Sequence, residues 1–549
     1  MSSIRERSLS LLTNLSSSLL SLYLYNTQIQ GKFPTHILHL PNLQEIDLSL
    51  NENLRGELPN SNWTTPLTFL YLSRTNFSGY IPDSIGQLKS LNELYLSGCN
   101  FDGFLPPSLF NLTQLTLLYL SYNELVGPIP TQITEFSKLS ILDLSGNLLN
   151  GSIPLGCYSL PSLLSLDLSD NQLTGSIGEF SSNSLEYLSL SNNNLQGNFP
   201  TSIFQLQNLT RLSLSSMNLS GVMDFHQFSK LKALWNLDLS HNSLLSINFG
   251  NTSDCILPIL QYLRLSSCNI IFNFLSSVCM FPSLQALYLS SSNVSSLPTF
   301  LAPLQNLQDL DLSHNRIHGN IPKWFHENLL HSWKNIYYID LSFNKLQGHL
   351  PIPPNGIRIF LVSNNELSGH ISLTMCNAST LFILNLASNN LTGHIPQCLG
   401  TFSSLWALDL QNNNLYGSLP PKFSKGNTFQ SIKLNGNRWK GPVPWSLTYC
   451  TGLQVLDLGN NNIEDLFPYW LETLSTLQVL SLRSNKFHGV ITSFGTKLPF
   501  PRLKIFDISN NYFTGPLPTS YIQNFQGMMN VTNNQIGLTY LGNHGTYND

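Results

Sequence analysis

The chain has 549 residues, 42% of them hydrophobic, only 10% charged, and a formal net charge of −4. So sparse a charge leaves no basic block for nucleic acid and no acidic solvating tail, and no run of ~20 apolar residues is present to span a bilayer. The cysteines include no C-x-x-C pair, which argues against zinc and thioredoxin-type redox chemistry.

In chain order, residues 1–25 carry Arg5 and Arg7, but Leu and Ser then alternate without the apolar core of a signal peptide. A repeat follows, clearest at residues 408–420, which read L-x-L-x-x-N-x-L-x-G-x-[IL]-P. Aligned on the asparagine, copies fall at Asn123, Asn147, Asn171, Asn193, Asn242 and Asn315, and then from Asn344 through Asn413 to Asn511. Thr27, Thr75, Cys99, Met217, Cys268 and Ser292 take the same slot in degenerate copies, and the copy at Asn51 carries an extra residue before Leu54. The period of about 24 residues lies in the leucine-rich-repeat range, and about twenty-one copies leave room for little else.

The alternating L-x-L predicts a short strand with its leucines buried. One repeat cannot bury them alone, so neighbours must stack and share a core. The asparagine amide, both donor and acceptor, suits the turn after the strand. Threonine, serine and cysteine meet that need weakly, and Met217 predicts strain or an ordered water. The following glycine, proline and L-x-x-L, as at Leu88, Leu91 and Leu94, predict a turn and a short helical segment on the outer side. The expected fold is an α/β leucine-rich-repeat solenoid over residues 1–520: a curved right-handed superhelix, a concave parallel sheet, and short 3-10 turns and extra strands outside.

Over residues 1–220 the strand position between the leucines places Tyr71, Tyr95 and Tyr119 in register, with Phe69 beside them. Such a ladder either stiffens the sheet or forms an aromatic binding strip. The less regular residues 221–300 offer Arg211, Trp235, Asp238, Tyr262, Arg264 and Tyr288, with His241 and His314, as the preferred ligand patch; the plain alternative is a solvated sheet face. Residues 320–360 hold a longer coil and then a shorter one. Later coils project Asp409, Lys433 and Asp457. After Pro518 the periodicity stops, and residues 521–549 are expected to begin an incomplete loop region.

Apparent catalytic motifs fail on spacing. His326 and His331 flank Glu327 five residues apart, where a zinc-protease helix needs four. Asp311, Ser313 and His314 belong to the repeat consensus, and Gly146 and Gly151 are followed by Ser152 where a P-loop needs lysine. No cofactor or metal is expected.

The L-x-x-L-x-L-x-x-N-x-L-x-G-x-I-P pattern resembles the plant-specific leucine-rich repeat over essentially the whole chain. The opening at residues 12–19 and the stretches 506–511 and 528–531 resemble plant receptor-like proteins, surface receptors without a kinase. The resemblance implies a non-enzymatic ectodomain at the outer face of the plasma membrane, acting in defence or development. Its ligand would be a peptide, a protein or a glycan, and it would signal through a partner receptor kinase, with no nucleic acid involved. The family's paired-cysteine cap, last repeats and membrane helix are absent from this sequence, so a fragment or a truncated gene product is expected, reaching the membrane only through a segment outside it. A secreted inhibitor of a pathogen's wall-degrading enzyme and a receptor-kinase ectodomain are the alternatives.

Spacing of about one repeat makes Cys255 with Cys279, and Cys376 with Cys398, candidate disulfides, whereas Cys99 and Cys268 read as small buried thiols in asparagine slots. Sequons for N-glycosylation occur at Asn14, Asn62, Asn76, Asn111, Asn150, Asn208, Asn218, Asn251, Asn293, Asn377, Asn390 and Asn530, about as many as this composition produces by chance.

Overall fold

The computed structural model describes residues 17–529 apart from 62, 64, 251–254, 273–278, 494, 497 and 517. The sequons at Asn14, Asn62, Asn251 and Asn530, and residues 530–549 of the expected loop region, lie outside the described residues. The chain forms two compact units, Met1–Asn315 and Arg316–Asp549.

In the first unit every L-x-L becomes a three-residue strand, from Ser21–Tyr23 through Glu93–Tyr95 to Asp309–Asp311. Successive strands pair in parallel with residue-for-residue register, as in Leu94↔Leu118 and Leu118↔Leu142. After the first strand, where Leu22 is half-buried, the central leucine or isoleucine of each points inward and is at most 1% exposed, while most of the residues beside it are half-buried on the open face. Fully burying such a side chain contributes roughly 1.5–3 kcal/mol, so the core grows by a fixed increment per coil.

The asparagine does what the turn demands. Asn123 Nδ2 donates to the carbonyls of Leu96 (2.9 Å), Leu120 (3.0 Å) and Ser121 (3.2 Å), and its Oδ1 accepts from the Phe101 N–H at 3.0 Å. The residue before it, Tyr122, is in the left-handed region at φ 54°. Substitutes in the slot make fewer bonds: Thr75 Oγ1 and Cys99 Sγ both donate to the Leu72 carbonyl, at 2.7 and 3.1 Å. Ser292 Oγ lies 2.9 Å from the Leu265 carbonyl and 3.0 Å from that of Ser290. Met217 is simply buried, and Ser216 before it keeps φ 54°, so the strain expected there does not reach the backbone. Asn51 fills its slot normally, and its extra residue is absorbed by a register shift between Asn51 and Arg55.

Beyond each turn a second parallel sheet runs from Gly31–Lys32 through Glu124–Pro128 to Asn269–Phe272. Its glycine is required at Gly127, where φ is 79° and an added Cβ would strike the Phe104 ring. The following proline, such as Pro82, precedes a 3-10 segment (Asp83–Gln87) on which Ile85 packs inward. Proline suits that place because its φ is preset and the first turn needs no N–H from it.

The second unit repeats the plan. Its main-sheet strands run from Tyr338–Asp340 to Ile505–Asp507, and its second-sheet strands include Ser368–His370, Asn390–Gly393, Asn414–Gly417, Arg438–Gly441 and Asn462–Ile463. The longer coil is a helix, Lys323–Glu327, prolonged by a wide turn at Asn328–Ser332; the helix holds His326, and Glu327 pairs with Lys323 at 3.0 Å. The shorter coil crosses residues 351–356 without a helix. At the end, Tyr521 and Phe525 are buried against Phe506, so this stretch covers the last described coils.

Both candidate cysteine pairs are joined, Cys255–Cys279 with Cα atoms 4.5 Å apart and Cys376–Cys398 with 5.7 Å. Cys99, Cys157, Cys268 and Cys450 are free and buried. Burial pushes the thiols of Cys157, Cys268 and Cys450 up to about 12, so they act as protonated core groups.

Candidate ligand-binding face

Period-2 alternation sends the residues on either side of each buried leucine to the open face, and parallel register stacks equivalent positions of successive coils. In the first unit this builds two side-chain clusters.

The first is the tyrosine ladder. Tyr71 and Tyr95 meet edge-on at 4.4 Å, Tyr95 and Tyr119 stack at 4.6 Å, and Phe69 lies 6.0 Å from Tyr71. The Tyr71 hydroxyl donates to the Glu93 carboxylate. Burial, then Tyr119 and Glu93, push Tyr95 up to about 12, and burial with the Glu93 bond raises Tyr71 further. These phenols are hydrogen-bond donors at any physiological pH.

The second cluster contains most of the mixed patch. The Arg211 guanidinium lies over both the Tyr187 and Trp235 rings at 5.3 Å. Trp235 meets Tyr262 at 5.8 Å, and Arg264 lies 5.5 Å from both Tyr262 and Tyr288. Six side chains from five successive coils thus form one cation–aromatic stack, with Tyr262 and Arg264 on the same strand. Each such contact is worth about 0.5–1 kcal/mol at an exposed site. The stack holds the two guanidiniums in fixed places, with Arg264 Nη1 also donating to Asn236 Oδ1 at 3.3 Å.

Not all expected residues join. Asp238 Oδ1 accepts from the Ser240 N–H at 2.9 Å, so it holds its own turn. Asp143, Asp167, Asp311, Asp340 and Asp457 do the same two residues ahead, which makes the acidic column largely structural. His241 and His314 sit in the left-handed turn position, at φ 59° and 53°, outside the strands. The two clusters remain separate, because Asp143 and Asp167 occupy the intervening strands. Tyr187 was missed by the sequence reading, although its register opposite Arg211 announces it; its hydroxyl donates to Asp167 at 3.0 Å.

In the second unit the open face carries a stacked pair, Phe382 and Trp406 at 5.8 Å, and a glutamine ladder. Gln454 Nε2 donates to Gln430 at 2.9 Å, and Gln478 Nε2 to Gln454 at 3.2 Å. The described sequon asparagines are exposed except Asn76, which is half-buried. Among the described residues no group of acidic, histidine or cysteine side chains is arranged to hold a metal ion, and no helix is long and apolar enough to cross a membrane.

Comparison with known proteins agrees with this geometry. Leucine-rich-repeat family models match residues 183–244, 428–487 and 451–513, and single repeats at 66–88, 90–112, 138–160, 162–183, 306–328, 380–402 and 404–425, together more than half of the chain. Receptor like protein 27 of Arabidopsis thaliana is 39% identical over 180 residues, which are 29% of this chain and 19% of that protein. The matches span about a fifth or less of the length of the curated relatives. Among solved structures, PEPR1 with AtPEP1 is similar at a TM-score of 0.75 and 28% identity, covering 93% of this chain and 74% of that one. The Arabidopsis receptor kinase HAESA, with the peptide hormone IDA and the co-receptor SERK1, is similar at 0.65 and 26%, covering 93% and 90%. The chain therefore belongs to the leucine-rich-repeat family, and its sequence relatives are plant receptor-like proteins.

Proposed function

We propose that this chain is the ligand-recognition part of a plant cell-surface receptor-like protein, and that it does no chemistry of its own. The observation that carries the reading is the stack from Tyr187 to Tyr288, where two guanidiniums are fixed between aromatic rings on an open sheet face. Fixed arginines and large rigid rings are what recognition hot spots use, because little side-chain entropy is lost on binding. The fitting ligand is a peptide or protein segment with carboxylates facing Arg211 and Arg264. One of the similar structures is named as a receptor kinase with a peptide hormone and a co-receptor, which supports a peptide ligand and a partner receptor kinase. The full-length protein would then sit at the plasma membrane with this part outside.

The test is a panel of synthetic peptides, half ending in a free carboxylate and half amidated, on the immobilised chain. Binding by the acid set should fall at least about tenfold in Trp235→Ala and in Arg264→Ala, the effect of losing a hot-spot residue. Acid peptides that bind both variants as tightly as the unaltered chain would place the ligand elsewhere and overturn the assignment.

A further inference from the structure

The second unit bears a cationic row on its second sheet, distinct from the open face. Three successive coils place a histidine at one repeat position: His349, His370 and His394, each exposed and lying over the glycine of the next coil (Gly369, Gly393 and Gly417). An added Cβ on any of these glycines would strike the ring, so the glycines make the bed on which the imidazoles lie. Further along the same strand ladder, Arg438, Lys440 and Lys486 line an open groove of about 700 Å³. None of the three makes an ion pair among the described residues.

Acids near the row are mostly engaged elsewhere. His326, on the preceding helix, is held toward its neutral form by burial and then by His349. Glu366 is already bound by Gln347 Nε2 at 2.8 Å, and Tyr416 meets His394 edge-on at 4.8 Å. In the groove, Asp465 accepts from the N–H groups of Val443 (3.0 Å) and Leu466 (2.8 Å), which leaves Glu464 as the exposed acid there. The corresponding strands of the first unit carry the sequons Asn76, Asn150 and Asn218, whereas among the described residues only Asn390 falls on this row.

We infer that this row is a binding site for a linear acidic polysaccharide, one carboxylate per sugar ring, held more tightly as the histidines charge. The arrangement disfavours an extended acidic peptide. The three histidines recur once per coil, about 4.8 Å, whereas like-facing side chains of an extended peptide recur at about 6.6 Å. Beyond them the basic residues are spaced unevenly, because the strands Asn414–Gly417 and Asn462–Ile463 carry no cation. The interior strands here are paired on both sides, so no free main-chain edge invites a peptide to add a strand. Glu464 and Asn462 suit a ligand rich in hydroxyls, accepting from them between the cations. Histidine changes charge between about pH 5 and 8, so the site strengthens as pH falls across that window.

The experiment measures binding of a de-esterified oligogalacturonate to the whole chain at about pH 5 and about pH 8. Binding should be tighter in acid. Lys440→Gln with Lys486→Gln should weaken it at both pH values by at least about tenfold, the equivalent of one charge-assisted hydrogen bond. His488 lines the same groove, so His349→Gln with His370→Gln, His394→Gln and His488→Gln should remove the pH dependence and leave the alkaline affinity unchanged. All six positions are exposed, and an unchanged far-ultraviolet circular dichroism spectrum confirms folding. A pH dependence that survives the quadruple substitution, or equal binding of the methyl-esterified oligomer, would overturn the site. Polyglutamate of equal charge binding as tightly would overturn the sugar assignment in favour of an acidic peptide. Loss of peptide binding at Trp235 or Arg264 concerns the other unit, so the two readings fail separately.

Discussion

Asn147 shows how much of the fold rests on one side chain. It donates to the carbonyls of Leu120 and Leu144, both at 3.0 Å, and of Ser145 at 3.2 Å, and it accepts from the Leu125 N–H at 3.1 Å. Asn147→Ala would leave those groups buried and unpartnered, at a cost of about 3 kcal/mol. Asn147→Thr should cost about half as much, because Thr75 shows that a hydroxyl in this slot keeps one carbonyl bond. Amide hydrogen exchange over residues 117–126 should order the chains as wild type, threonine, alanine. Equal exchange in all three would remove the asparagine from this role.

The tyrosine ladder makes a prediction about pH. Tyrosine ionises near pH 10 in a free chain, whereas Tyr95 is pushed up to about 12. A raised folded value means that the protonated ladder stabilises fully below about pH 10 and loses its contribution as pH rises toward about 12. Phenolate absorbance should therefore rise in two phases, and Tyr95→Phe should remove amplitude from the later one. Amplitude lost from the earlier phase would contradict the burial argument.

At the scale of elements, the disulfide Cys376–Cys398 ties the 3-10 segment Leu373–Asn377 to the next one, Gln397–Gly400. Closing a loop of this length stabilises by about 3 kcal/mol in the chain-entropy account. Cys398→Ser should lower the thermal midpoint clearly, whereas Cys450→Ser, at a free thiol, should shift it less. Equal shifts would mean that the bridge is not closed in solution.

Strands, turn asparagines and outer helical segments were legible because each follows from a residue type at a fixed spacing. The cation–aromatic stack was half legible. The reading named Arg211, Trp235, Tyr262, Arg264 and Tyr288 but stopped short of Tyr187, which register places beside Arg211, and spacing alone did not show that these side chains join in one stack. Asp238 stays out of the stack because an aspartate two residues before a serine bonds within its own turn, a local bond that periodicity does not reveal. The histidine row was invisible until the coils were stacked, since its members sit some twenty residues apart and meet only through glycines of neighbouring coils.

At the scale of the molecule, stability in each unit is a sum of coils and their contacts with the next. Removing residues 139–162, one full period, should leave a folded chain with unchanged strand content per residue by circular dichroism. Removing residues 139–150 should not, because it joins a strand to the wrong part of the next coil. If both deletions fold equally well, the stacking account is wrong. The proposed binding faces lie outside this shared frame: the leucines, asparagines and glycines recur, while the residues beside them differ from coil to coil.

The asparagine bonds also have a direction. Asn123 reaches into its own coil and the one before it, and so do Asn147, Asn413 and Asn485. A coil is therefore finished by its successor. On the ribosome, where the amino-terminal end emerges first, each new coil supplies the missing partners of the one already outside. No segment waits for a distant one, and the only unfinished surface at any moment is the newest coil, still beside the exit.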